Sequence, residues 1–171
     1  MLDNVEVISI VKNSISHINS SIPSLPKVLS RLRGAQLPNG DLLITGGGPF
    51  EGPFPRGPFS SCNDISYEYF HYKDGSNQWK KVGTMKGVRV AYSSVSVDDS
   101  LLTTGGCDWQ SNSSGSISTI LSNHEEFSIN GGVKERTNMP IALKYHAAAV
   151  FGKHTILISG GLGDEVNEIF H

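Results

Sequence analysis

Cysteine is nearly absent: Cys62 and Cys107 are the only two in 171 residues. That number excludes a disulfide scaffold and any zinc site built mainly from thiolates, and free thiols in a reducing compartment are the expectation. Charge is sparse too, at 18% of residues with a formal net of −2. No strong field of either sign results, so neither a nucleic-acid backbone nor an anionic membrane surface is an expected partner. Long apolar runs are lacking: none approaches the ~20 residues of a spanning helix, and Met1-Leu2-Asp3-Asn4 lacks the basic start of a secretory signal. A cytoplasmic location is therefore expected, and the triplets Asn19-Ser20-Ser21 and Asn112-Ser113-Ser114 are read as chance glycosylation matches.

Catalytic signatures are missing as well. The six histidines form no HxH, HExxH or Cys/His cluster with metal-ligand spacing. No GxxxxGK occurs, and neither Gly46-Gly47-Gly48-Pro49-Phe50-Glu51 nor Gly160-Gly161-Leu162-Gly163-Asp164-Glu165 completes GxGxxG, so phosphate cradling has no support. His124-Glu125-Glu126 reads as polar residues facing solvent and not as an acid/base site, because neighbours on a strand point to opposite faces. No active site, metal or cofactor is predicted.

Glycine is what the chain has in quantity, with nineteen glycines beside eight prolines. A hydrophobic run ending in a glycine pair occurs three times, at Leu42 to Gly46-Gly47, Leu101 to Gly105-Gly106 and Ile156 to Gly160-Gly161. The pairs stand 59 and 55 positions apart (46 to 105, 105 to 160). Each is preceded by a strand pattern and a tight turn, so each is predicted to close the second strand of a hairpin. A further β-rich segment follows each pair, containing Tyr69, Phe127 and Phe170, and Val5 to Ile10 supplies a fourth copy. Fourth strands follow at Gln78 to Val82, with Trp79, and at Val133 to Thr137. An all-β chain of four-stranded antiparallel units is the predicted class.

On the three glycine pairs, the third-strand aromatics Tyr69, Phe127 and Phe170, and Trp79, the chain resembles kelch-repeat β-propellers. The resemblance covers nearly all of residues 1–171. It implies strands 3 and 4 of one blade over about 4–20, whole blades at 31–85 and 88–139, and strands 1 to 3 of a further blade at 143–171. Val133 stands where the pattern has tryptophan, and the first copy has Ile15 or His17 there. Leu37-Pro38-Asn39-Gly40-Asp41-Leu42-Leu43 is similar to a turn of galactose-oxidase-type kelch domains. In this reading Gly46, Gly47, Gly105, Gly106, Gly160 and Gly161 are structural, as are the four aromatics. The propeller is incomplete, so a longer gene product is expected, with self-association through the open blades as the alternative.

Function then belongs to the loops. From the second glycine to the third-strand glutamate the chain runs 21, 19 and 7 positions (47 to 68, 106 to 125, 161 to 168), so length varies in the connection between strands 2 and 3. The first such loop repeats Gly-Pro-Phe at Phe50, Phe54 and Phe59, with Arg56 between. These rings either anchor a partner or fold back as a lid. Asp108 and Trp109 open the next loop, and Arg31, Arg33, Arg89 and Lys144 lie near the starts of first strands, where a ring of cations suits an acidic peptide. BTB-kelch adaptors, to which the resemblance points, use arginines at comparable places, although no BTB region is present. The prediction is a protein-interaction module, a recruiting or scaffold element and not an enzyme, binding a peptide or protein at one face. A fragment of a galactose-oxidase-like copper enzyme is the rival.

Overall fold

The computed structural model of the chain describes residues 7–11, 14–18, 22–27, 29, 31–47, 66–112 and 115–163. Fourteen strands and no helix occur among them. They are β1 (Val7–Val11), β2 (Ser14–Ile18), β3 (Arg33–Gln36), β4 (Leu42–Thr45), β5 (Glu68–Tyr72), β6 (Trp79–Thr84) and β7 (Ser93–Val97). After these come β8 (Ser100–Thr104), β9 (Cys107–Asn112), β10 (Gly115–Ile120), β11 (His124–Ser128), β12 (Gly132–Arg136), β13 (Ala147–Phe151) and β14 (Thr155–Ser159). No helix of the described residues is long and apolar enough to cross a membrane.

Every pairing is antiparallel. β3-β4-β5-β6 form one four-stranded sheet and β7-β8-β11-β12 a second, with the hairpin β9-β10 inserted between β8 and β11. β1-β2 and β13-β14 are two-stranded. The turns expected before each glycine pair are present. Gly40 takes φ 92° between β3 and β4, and the Asp41 side chain accepts the Asp74 amide at 2.9 Å and pairs with His71 at 2.9 Å, clamping that turn to the one after β5.

Alternation decides which side chains meet. Leu43 and Tyr69 of the first sheet, with Leu37 and Met85, pack against Leu101 and Phe127 of the second. The Tyr69 and Phe127 rings stack at 4.2 Å and 10°. Burying a ring of that size is worth roughly 1.5–3 kcal/mol, so this contact is a main source of cohesion between the sheets. Gly83 is what lets Phe127 in, because a Cβ there would lie 2.7 Å from its ring. The opposite face of the first sheet carries Ile44, Phe70, Tyr72 and Trp79, covered by Ile22, Leu25, Leu29 and Leu32. Trp79 donates its indole N–H to Pro23 O at 3.0 Å.

Successive sheets are joined by a repeated lock at the glycine pairs. Tyr92, at the start of the second sheet, donates its hydroxyl to Thr45 O at 2.8 Å, and a Cβ on Gly46 would sit 2.0 Å from that oxygen. His146, at the start of β13, brings Nε2 to 2.8 Å from Thr104 Oγ1, and a Cβ on Gly105 would meet its ring at 2.7 Å. Both glycines have positive φ, at 72° and 55°, which a side chain would strain in addition. Inner strands accordingly run side by side, β3 against β7 and β7 against β13.

Two sequence readings need correction. Glu68 and Glu125 are not equivalent: Gly46 N bonds Glu68 O, whereas Gly105 N bonds Asn123 O, so the counterpart of Glu125 is Phe70 and that of Phe127 is Tyr72. Recurring letters in the third strand are thus two positions out of spatial register. Residues from Cys107 onward, read as a loop, begin the paired hairpin β9-β10 instead. The strand expected near the C-terminus with Phe170 lies outside the described residues.

Candidate functional site

Strand registers separate two ends of the molecule. Arg33 opposite Thr45 and Ser93 opposite Thr104 place the starts of first strands beside the ends of second strands. The glycine pairs, the start of β5 and β11 and the hairpin β9-β10 share that end, while the short turns lie at the other.

Three residues at the glycine end have positive φ without being glycine. Arg31 has φ 60°, Ala91 56° and Tyr145 59°. Each stands two positions before its first strand, at Arg33, Ser93 and Ala147. An L-residue held there costs about 1–2 kcal/mol, so the surrounding contacts must impose it. Tyr145 N donates to Ala91 O at 2.8 Å, which is one such contact. The conformation turns Arg31 and Tyr145 outward: Arg31 is exposed and Tyr145 is 69% accessible. Tyr145 was not singled out by the sequence, since only its place in the repeat, and no letter motif, distinguishes it.

Of the cations expected here, Arg31, Arg33 and Lys144 are at this end. Arg33 donates Nε to Tyr92 O at 3.1 Å and Nη1 to Leu32 O at 3.1 Å, so it also braces the first sheet against the second. Lys144 is half-buried, pairs through its backbone with Leu162 and holds its ammonium 6.0 Å from the centre of the Tyr145 ring. Asp108 is half-buried in β9, and Trp109 follows it opposite Ser118 in the hairpin, its side chain outside the described set. Phe50, Phe54, Arg56, Phe59 and Cys62 also lie outside the described residues.

Arg89 departs from the expectation of an accessible cation. It is 2% exposed and paired with Glu125 at 3.1 Å, itself 1% exposed. Its guanidinium also donates to Gly105 O at 2.6 Å, Asn123 O at 3.1 Å and Asn123 Oδ1 at 2.9 Å, and Glu125 Oε2 accepts the Lys86 amide at 3.0 Å. The first repeat shows why this is internal structure: the position of Arg89 is Leu29 there, and that of Glu125 is Phe70, both in one apolar cluster. An ion pair has replaced a hydrophobic contact. The same pairing buries Glu125, which the sequence suggested was solvent-facing, while Glu126 points the other way and pairs with Arg136.

Buried imidazoles adjoin this network. His124 is held below the usual histidine range by burial and then by the Arg89 charge, and His146 by burial and then by His124. Burial raises the Tyr69 hydroxyl and the Cys107 thiol, which favours the neutral form of each. Among the described residues no three His, Cys, Asp or Glu side chains gather as a metal donor set.

With this geometry in hand, comparison with solved structures finds likenesses of fold, one of which is described here. The chain is similar to the solved structure of YjhT. The TM-score is 0.61 at 15% sequence identity, over 84% of this chain and 37% of that one. Our chain therefore spans little more than a third of the YjhT structure, and at this identity the likeness speaks for fold alone. No family model matches the chain. No curated protein matches it either.

Proposed function

We propose that this chain is part of a kelch-type β-propeller and serves as a protein-interaction module, taking a peptide or protein partner at the glycine end. The propeller reading is supported by two four-stranded sheets of one strand order, by the repeated locks at Gly46 and Gly105, and by the fold likeness to YjhT. The observation that carries the binding reading is the row of strained backbones at Arg31, Ala91 and Tyr145, which holds a guanidinium and a phenol ring outward where the longest connections emerge. Rigid scaffolds that present such groups beside long loops are a common setting for recognition. The reading extends to a cytoplasmic protein without a resident cofactor.

An array of synthetic peptides, acidic, neutral and basic, tests it. The purified chain is expected to select acidic peptides carrying an apolar anchor. Arg31→Glu with Tyr145→Ala is expected to weaken capture at least about tenfold, roughly 1.4 kcal/mol. Alanine at Phe50, Phe54 and Arg56 should do the same, each set leaving the circular dichroism unchanged. Selection that ignores both sets would reject the glycine end as the binding surface.

A further inference from the structure

Two pairs of rings occupy corresponding places between successive sheets. Tyr69 lies opposite Thr45 and His124 opposite Thr104, each beside a glycine pair. Tyr92 and His146 stand directly before β7 and β13 and form the two locks. Tyr69 acts on the ionisation of Tyr92, and His124 on that of His146, so the rings of each pair are neighbours. From the first interface to the second a whole pair is thus exchanged. Two phenols, uncharged below about pH 10, give way to two imidazoles whose ordinary range lies near neutrality.

Little around the imidazoles favours their charge. His146 is 5% exposed, with Nε2 at 2.8 Å from Thr104 Oγ1, and Nδ1 of His124 is buried without a hydrogen-bond partner among the described residues. Arg89 adds a positive charge beside His124, and Glu125, which balances Arg89, is taken up by that guanidinium and by the Lys86 amide. Lys144 holds its ammonium by the Tyr145 ring, Cys107 is buried and neutral, and β13 and β14 bring no titratable side chain. The Leu143 and Thr104 carbonyls favour a charged His146, but burial and then His124 outweigh them and hold it below the usual histidine range.

The same ring is joined to strained backbone. His146 follows Tyr145, whose φ of 59° its surroundings must impose. Ser93 Oγ donates to His146 O, and Tyr145 N donates to Ala91 O at 2.8 Å, so two consecutive residues tie the ring and the strain to the segment leading into β7. After the other two strained residues, Arg31 and Ala91, stand Leu32 and Tyr92, neither of which changes charge near neutrality.

We infer that His124 and His146 form a proton-operated catch: in acid the His146 ring leaves Thr104, the backbone at Tyr145 relaxes from positive φ, and the phenol is withdrawn from the glycine end. Release of a bound partner on acidification is the consequence, and it rests on the function proposed above. Below pH 6.5 the open form takes up protons that the closed form resists, so its population rises by up to about tenfold per pH unit for each histidine released.

Hydrogen exchange of the Tyr145 amide reads the catch without a ligand. Corrected for intrinsic exchange, its protection is expected to fall about tenfold from about pH 7.5 to about pH 5.5, and to stay below that of Leu43 and Ile44 in β4, the mark of a local opening. His124→Asn with His146→Asn should make that protection the same at both pH values. Wild-type protection that is constant with pH, or equal to that of β4 throughout, overturns the catch, as does an unaltered pH dependence in the variant; the wild-type profile decides the matter even where the variant does not fold. Fluorescence anisotropy with a labelled peptide of glutamate and leucine separates the two proposals. Capture that weakens about tenfold between the same pH values supports the coupling. No capture at either pH, with Tyr145 exchange following the histidines, rejects the peptide surface and supports the catch. Equal capture at both overturns the catch and leaves the peptide surface in place.

Discussion

The exchange of Leu29 and Phe70 for Arg89 and Glu125 in corresponding places makes one pair of residues a direct probe of what burial costs. Arg89→Leu alone strands a carboxylate that is 1% exposed and is expected to lower unfolding free energy by about 3–5 kcal/mol. Arg89→Leu with Glu125→Phe copies the first repeat and should recover most of that loss in urea denaturation, because removing both charges avoids an unpaired one. If the double variant is as unstable as the single, the ion pair has a role beyond packing. Gly46 and Gly160 make a second contrast. Both have positive φ, but a Cβ on Gly46 collides with Tyr92, while one on Gly160 meets no atom of the described residues within 4 Å. Gly160→Ala is expected to cost about 1–2 kcal/mol from backbone strain alone, and Gly46→Ala clearly more, since the tyrosine must also release Thr45 O. Equal melting temperatures would disprove the lock.

At the level of strands, Phe127→Ala should be the most damaging truncation in the second sheet, at about 3–5 kcal/mol, since it empties the stack with Tyr69 and leaves Gly83 facing a void. Thermal unfolding checks it against Val133→Ala, which trims a side chain only partly buried at the margin of the same cluster. Much of this level was legible beforehand. Hairpins before each glycine pair follow from strand-like apolar patterns and from the turns at Asn39-Gly40, Asp98-Asp99 and Gly152-Lys153, and those signals are local. Third strands were found but misaligned, because the glutamate and aromatic letters recur at places that hydrogen bonding offsets by two. The β9-β10 hairpin escaped notice since serine, asparagine and glycine dominate its sequence, and only pairing across the turn makes it a strand. Arg89 misled for a different reason: a charge looks like surface until its partner on a strand 36 residues away is known.

The molecule as a whole should feel acid through its histidines first. His124 and His146 have folded pKa values below the ordinary 6.5, so between that value and the folded pKa the unfolded chain binds more protons than the native one. Stability is fully present above about pH 6.5 and declines as pH falls through it. A second decline belongs to Glu68, held at about 2 chiefly by Lys27 and then Lys81, and to Asp41 and Glu126, also lowered. Their contribution is present above the carboxylate range and fades as pH drops toward 2. A melting profile against pH should therefore fall in two stages, and His146→Asn should flatten the upper one. A single stage near pH 4 would show that the imidazoles titrate freely.

The two locks between sheets are built from different chemistry, and that difference has a use. Tyr92 offers a phenol to a backbone carbonyl, and His146 an imidazole to a threonine hydroxyl. Exchanging them would leave the shorter ring short of Thr45 O and drive the longer one into Met139, which already lies 2.8 Å from where a Cβ on Gly105 would be. A collapsing chain with near-identical repeats runs the hazard of docking a sheet on the wrong neighbour. Here each sheet carries a contact fitted to its own predecessor, which disfavours docking on the wrong one.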